Sequence, residues 1–191
     1  MVSLQVPISK EAVCSLKVGD AVSLSGIIHT GRDAVHKYLY KRGKLPEACQ
    51  FKDGVLYHCG PVMLQENGSY KCTAAGPTTS TREEPYQYKI IADLGLRAII
   101  GKGGMGEKTV KACKEHGCVY LHAIGGAAQV YAECVKKVRN VYFLQEFGSP
   151  EAIWELEVEN FMATVTIDAH GNSLHHDIFE KSSEKLNQLA Q

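Results

Sequence analysis

The chain has 191 residues, 45% of them hydrophobic and 22% charged, which excludes a disordered polypeptide and allows a sizeable core without staples. Lys plus Arg equals Asp plus Glu at 21 each, so no global positive field exists to draw nucleic acid or an anionic membrane. No run approaches the roughly eighteen apolar residues of a membrane span, and residues 1–10 lack a secretory pattern, so a cytoplasmic protein is expected.

In chain order, β-type runs dominate residues 18–81. Residues 21–29 read as a strand, 55–59 as a second and 70–74 as a third, punctuated by Gly31, Gly54, Gly60-Pro61, Asn67-Gly68 and Gly76-Pro77. A helix interrupts them from Asp33 to about Arg42, with Asp33 placed to cap its start and Gly43 to end it. From Pro85 helices and strands alternate. The pattern predicts helix 85–94 stopped by Gly95, strand 97–100, helix 107–116 closed by Gly117, strand 118–123 and helix 126–138. Such alternation predicts βαβ units with parallel pairing. Residues 161–168 alternate as a strand, Ala169-His170-Gly171-Asn172 is a turn, and 176–189 is a C-terminal helix with Asp177 near its positive end. Residues 1–191 thus read as a single α/β domain, a β-rich first half followed by alternating β/α units.

Three segments set cations or hydroxyls beside glycines at strand ends. In His29-Thr30-Gly31-Arg32-Asp33-Ala34-Val35-His36-Lys37 a strand gives way to a helix, whose free N–H groups favour an anion. Arg32 adds a planar fork that fits a carboxylate; a surface pair with Asp33 is the competing reading. In Gly76-Pro77-Thr78-Thr79-Ser80-Thr81-Arg82, four hydroxyls precede an arginine, and one helical turn would set Thr78 and Arg82 on one face. A hydroxyl beside fixed positive charge suits a base or proton relay; a helix cap followed by Glu83 and Glu84 uses the same donors. Gly101-Lys102-Gly103-Gly104-Met105-Gly106 contains G-x-G-x-x-G, but the next strand ends without the acid that a dinucleotide ribose requires. What remains is a tight glycine turn carrying the cation Lys102.

The seven cysteines, Cys14, Cys49, Cys59, Cys72, Cys113, Cys118 and Cys134, are scattered and include no CxxC, so neither a disulfide framework nor a metal site held by this chain is expected. Among the eight histidines, His170, His175 and His176 show no ligand spacing and read as turn or surface residues.

Together GRD-x-x-HK from Gly31, GPTTS-x-R from Gly76 and GKGG-M from Gly101, in this order, resemble the beta subunit of the class I fumarase and tartrate dehydratase family. The resemblance extends to Gly60-Pro61 and to Glu151-Ala152-Ile153-Trp154-Glu155-Leu156-Glu157-Val158, and so spans residues 18–174. It implies a swivelling β/β/α fold and a hydro-lyase that reversibly hydrates fumarate to malate, a tricarboxylic acid cycle step. An L-tartrate dehydratase subunit and a non-catalytic organic-acid-binding module are the alternatives. The implied partner is a larger alpha subunit that holds a [4Fe-4S] cluster through its own cysteines, with one iron open to the substrate as a Lewis acid, in an α2β2 assembly. Carried over by position, Arg32, Arg82 and Lys102 would grip the substrate carboxylates, and Thr78 would be the hydroxyl base beside an aspartate of the partner chain. No cofactor or metal ligand is implied here. Glu83 departs from the pattern, since relatives often have methionine there; an acid beside Arg82 would bear on substrate preference.

Overall fold

The computed structural model describes residues 1–189. In chain order the elements are β1 (Val2–Gln5), α1 (Lys10–Ser15), β2 (Ala21–Thr30), α2 (Asp33–Tyr40), β3 (Val55–Tyr57), β4 (Val62–Glu66), β5 (Ser69–Ala74), a 3-10 turn (Ser80–Glu83), α3 (Glu84–Leu94), β6 (Ala98–Gly101), α4 (Glu107–His116), β7 (Val119–His122), α5 (Ala128–Cys134), β8 (Val135–Tyr142), α6 (Leu144–Phe147), β9 (Ile153–Ile167) and α7 (Leu174–Leu189). The expected α/β fold is present, with its β-rich first half and alternating β/α units.

Seven strands form one sheet in the order β1-β2-β3-β6-β7-β9-β8, and an added pairing of β2 with β9 closes β2, β3, β6, β7 and β9 into a barrel. β2, β3, β6 and β7 run parallel, whereas β9 returns antiparallel against both β2 and β7. The short apolar strands are buried on both faces, as parallel strands under helices must be. Val55 and Tyr57, Ala98 and Ile100, and Val119 and Leu121 point into the barrel with Trp154 and Phe161. The residues between them, Leu56, Ile99 and Tyr120, face a second core with Val35 of α2, Ile90 and Ile91 of α3, and Ala112 and Cys113 of α4. Gly95 and Gly117 end α3 and α4 at φ 65° and 68°, the left-handed closure that glycine allows without strain.

Three expectations change. Asp33 is the first residue of α2 rather than its cap; Arg32 holds the cap position. The predicted helix 126–138 is α5 up to Cys134 and then the edge strand β8. The strand expected at 161–168 is the second half of the 15-residue β9. β4 and β5 form a hairpin around Asn67 and Gly68 (φ 50° and 77°), the positive angles that a tight primed turn needs.

Candidate active site at the strand ends

Because β2, β3, β6 and β7 are parallel, their C-terminal ends, Thr30, Tyr57, Gly101 and His122, lie at one end of the barrel. Ligand crevices in parallel sheets form there, where chain leaves the strands with unpaired backbone groups. The three segments singled out from the sequence all emerge at this end.

The hydroxyl segment wedges between the ends of β3 and β6. Pro77 bridges to Cys59 on one side and Thr79 to Lys102 on the other. Thr78 N donates to His58 O at 2.7 Å, and Thr78 Oγ1 donates to the same carbonyl at 3.1 Å. Lys102 N donates to Thr78 O at 3.3 Å, and Ser80 N to Lys102 O at 2.9 Å. Thr78 therefore lies in extended chain ahead of the 3-10 turn, and it is not joined to Arg82 by one helical turn. The Lys102 side chain lies across Gly125: a Cβ built there would meet Lys102 Cδ at 3.3 Å.

Arg32 and Arg82 meet through Asp33. Asp33 Oδ2 is 3.3 Å from Arg82 Nη2 and 3.9 Å from Arg32 Nη2. The pair of the competing reading thus forms, and it also draws the two arginines together. The N-terminus of α2, expected to face a ligand anion, is met by Glu151, whose Oε2 accepts from Ala34 N at 2.9 Å while Oε1 lies 3.4 Å from Arg32 Nε. Gly60 passes beneath Arg32 so closely that a Cβ would stand 2.6 Å from its Nη1. Arg32, Arg82, Thr78 and Lys102 are thereby tied into one rim through Asp33, Gly60, His58 and the bridge to Thr79.

Glu84 does more than suit the first turn of its own helix. Its Oε2 accepts from Gly106 N (2.8 Å) and Thr109 Oγ1 (2.6 Å), and its Oε1 from Lys108 N (3.0 Å) and Thr109 N (3.3 Å). It caps α4 from α3 and so anchors the far side of the glycine turn. In that turn Gly103 and Gly104 have φ 80° and 79°, and a Cβ on Gly104 would meet the His175 ring at 2.5 Å. Within the chain, the close approach that Gly104 permits is to His175.

Beneath the rim lies a buried polar chain that sequence reasoning missed: His36, Gln87, His58, Ser80 and Tyr120, with Glu83 beside it. His36 and His58 both meet the Gln87 amide at 2.8 Å, His58 Nδ1 meets Ser80 Oγ at 2.8 Å, and Tyr120 donates to Ser80 Oγ at 2.9 Å. Burial pushes both imidazoles below their ordinary range. The adjacency of His58 to Cys59-Gly60-Pro61, and the place of His36 in GRD-x-x-HK, were the available signals.

The chain's own donors do not suit an iron–sulfur cluster. All seven cysteines are free and five are buried. Burial pushes the Cys49 thiol up to about 12 and the Cys72 thiol to about 11, against the thiolate a cluster needs. Among the described residues no three His, Cys, Asp or Glu side chains converge on a metal position.

The model of the fumarase C-terminus matches residues 1–178. A protein of Geobacillus stearothermophilus, provisionally named fumarate hydratase class I, is 56% identical over 190 residues, which cover 99% of this chain but 36% of that one. A protein of Methanocaldococcus jannaschii, provisionally named L(+)-tartrate dehydratase subunit beta, is 44% identical over 185 residues, 95% of each chain. The L(+)-tartrate dehydratase subunit beta of Escherichia coli is 32% identical over 172 residues, 90% of this chain and 85% of that one. The chain therefore spans about a third of the first relative's length and most of the other two, and it belongs to the fumarase C-terminus family.

Proposed function

We propose that this chain is the beta subunit of a hydro-lyase that reversibly hydrates fumarate to malate, working with a separate, larger alpha subunit that carries a [4Fe-4S] cluster. The observation that carries the reading is the joining of Arg32, Arg82, Thr78 and Lys102 into one rim at the strand ends. Three cations there suit a dicarboxylate. The names of the relatives, fumarate hydratase and L(+)-tartrate dehydratase subunit beta, support the same reaction class. The poor fit of this chain's thiols to a cluster is consistent with a cofactor held by the partner.

The chain's residues then divide the work. Arg32 and Arg82 orient the two carboxylates, and Lys102 stabilises the negative charge that builds on the carboxylate as the neighbouring carbon loses its proton. Thr78 places a hydroxyl beside those cations. Its oxygen faces the substrate and takes the proton from carbon, while the hydroxyl hydrogen, donated to His58 O in this chain by itself, passes to the aspartate that the alpha subunit supplies.

The test is an anaerobic assay of the chain mixed with its partner after cluster reconstitution, following fumarate loss in the ultraviolet with L-tartrate as the rival substrate. Turnover only in the mixture supports the reading and selects the substrate. Full turnover by the partner alone would refute it.

A further inference from the structure

Glu83 lies beneath the arginine pair and has no part in the chemistry above. Glu83, His36, Gln87, His58 and Ser80 are all 0% exposed. Glu83 Oε2 is 3.5 Å from His36 Nδ1, and neither of its carboxyl oxygens has a hydrogen-bond partner.

The proton inventory around Glu83 follows from geometry. With the Gln87 carbonyl oxygen toward them, both His36 Nε2 and His58 Nε2 would have to donate to it, and Gln87 Nε2 would be left without a partner. The carbonyl could accept both, but a neutral His36 would then set a bare Nδ1 lone pair against Arg32 O at 2.8 Å; the opposite amide orientation gives one N–H to each Nε2 and removes that clash of acceptors. Each imidazole then keeps its hydrogen on Nδ1, donating at 2.8 Å to Arg32 O from His36 and at 2.8 Å to Ser80 Oγ from His58. Both histidines are neutral in this arrangement. The only hydrogen His36 could offer Glu83 is already committed to Arg32 O. An ionised Glu83 would be a buried charge with no donor, which is costly, whereas the neutral acid is tolerated.

The surrounding charges act in both directions. Burial is the largest influence and, with Asp33 of α2 and Glu151 ahead of β9, pushes the carboxyl up; Arg82 of the 3-10 turn and Arg32 pull it down; the result is about 7. His36, His58 and Gln87 face it as neutral groups. With Glu83 neutral, the charges of Arg32 and Arg82 balance those of Asp33 and Glu151, and an incoming dianion meets no net repulsion. With Glu83 ionised the cluster becomes net negative.

We propose that Glu83 is a positioning residue: kept protonated, it leaves the cluster of Arg32 and Arg82 with Asp33 and Glu151 without net negative charge, so that the arginines can turn to a dicarboxylate, and its ionisation loosens that grip. This rests on the dicarboxylate reading of the site. It makes substrate affinity, rather than the chemical step, the pH-sensitive quantity.

Two measurements test it. In the assembled enzyme, KM should rise about threefold or more between about pH 6 and pH 9 while kcat stays within about twofold, the signature of a lost ground-state contact. Glu83→Gln and Glu83→Met should both hold the low-pH KM across that range; a wild-type rise in either variant overturns the proposal. The second readout needs no catalysis. With 13C-labelled glutamate, the carboxyl resonance lost in Glu83→Gln should titrate near 7; an ordinary glutamate midpoint of about 4.5 overturns the proposal whatever the activity. A midpoint near 7 with neither turnover nor binding of any dicarboxylate would overturn it through the function it rests on, leaving only the buried acid.

Discussion

Thr79 and Lys102 pair through a single parallel bridge, and that bridge joins the hydroxyl segment to the glycine turn. The backbone bonds Lys102 N to Thr78 O and Ser80 N to Lys102 O flank it. Two of the four site candidates are therefore fixed by main-chain pairing, so their side chains can be removed without dismantling the scaffold.

Lys102→Ala and Arg82→Ala should each lower kcat/KM of the assembled enzyme by about a hundredfold, the usual loss for one charge-stabilising donor. Arg82 is 45% exposed at its side chain and Lys102 is half-buried across Gly125, so unfolding free energies should stay within about 0.5 kcal/mol of wild type. Steady-state kinetics beside urea unfolding separates the two effects. Unchanged turnover in both variants would remove these cations from the site.

Thr78→Val keeps the shape of the side chain and deletes its hydroxyl. It should cost about 1 kcal/mol of stability through the lost bond to His58 O, and about a hundredfold or more in kcat. Thr78→Ser should restore most of the rate. A Thr78→Val enzyme with normal kcat would show that the hydroxyl carries no proton.

Glu84→Ala removes the acceptor for three backbone N–H groups and the Thr109 hydroxyl at the start of α4. The loss should be about 2 kcal/mol, at the upper end for a cap because four donors share the carboxylate. It should also raise KM, since the turn carrying Lys102 runs directly into that cap. Hydrogen exchange at Gly106, Lys108 and Thr109 should accelerate in the variant; unaltered exchange there would show that the cap is dispensable.

The elements that could be read from the sequence are those whose local chemistry agrees with their final environment. α3 and α4 end at glycines with positive φ, and β3, β6 and β7 are apolar runs of strand length. β8 could not be read this way. Val135, Val138 and Val141 recur every third residue, which imitates a helix, because the register shifts between Val135 and Lys137 and again between Val138 and Asn140. Each irregularity stretches the two-residue repeat of a strand to three. The closure of β2 onto β9 depends on a pairing between distant segments and leaves no local mark. In the site, the motif cations were legible as residues, but the burial of Glu83 was not: beside Arg82 it reads as a first-turn acid of the next helix, and only the fold shows it fully buried beside His36.

Burial holds His29, His36, His58, His122 and His175 below the ordinary imidazole value in the folded chain. As pH falls through about 6.5 the unfolded chain takes up protons at these positions before the folded chain does, so stability should drop on acidification. Glu83 acts with the opposite sign: its folded value is raised to about 7, so its contribution is fully present below the unfolded value of 4.5 and is lost as pH rises through 7. Five histidines outnumber one acid, and the thermal midpoint should fall by several degrees between about pH 7.5 and pH 5.5. Glu83→Gln should steepen that fall by removing the opposing group. A flat midpoint over this range would mean that the buried histidines are already charged in the folded protein, and the neutral arrangement around Gln87 would have to be abandoned.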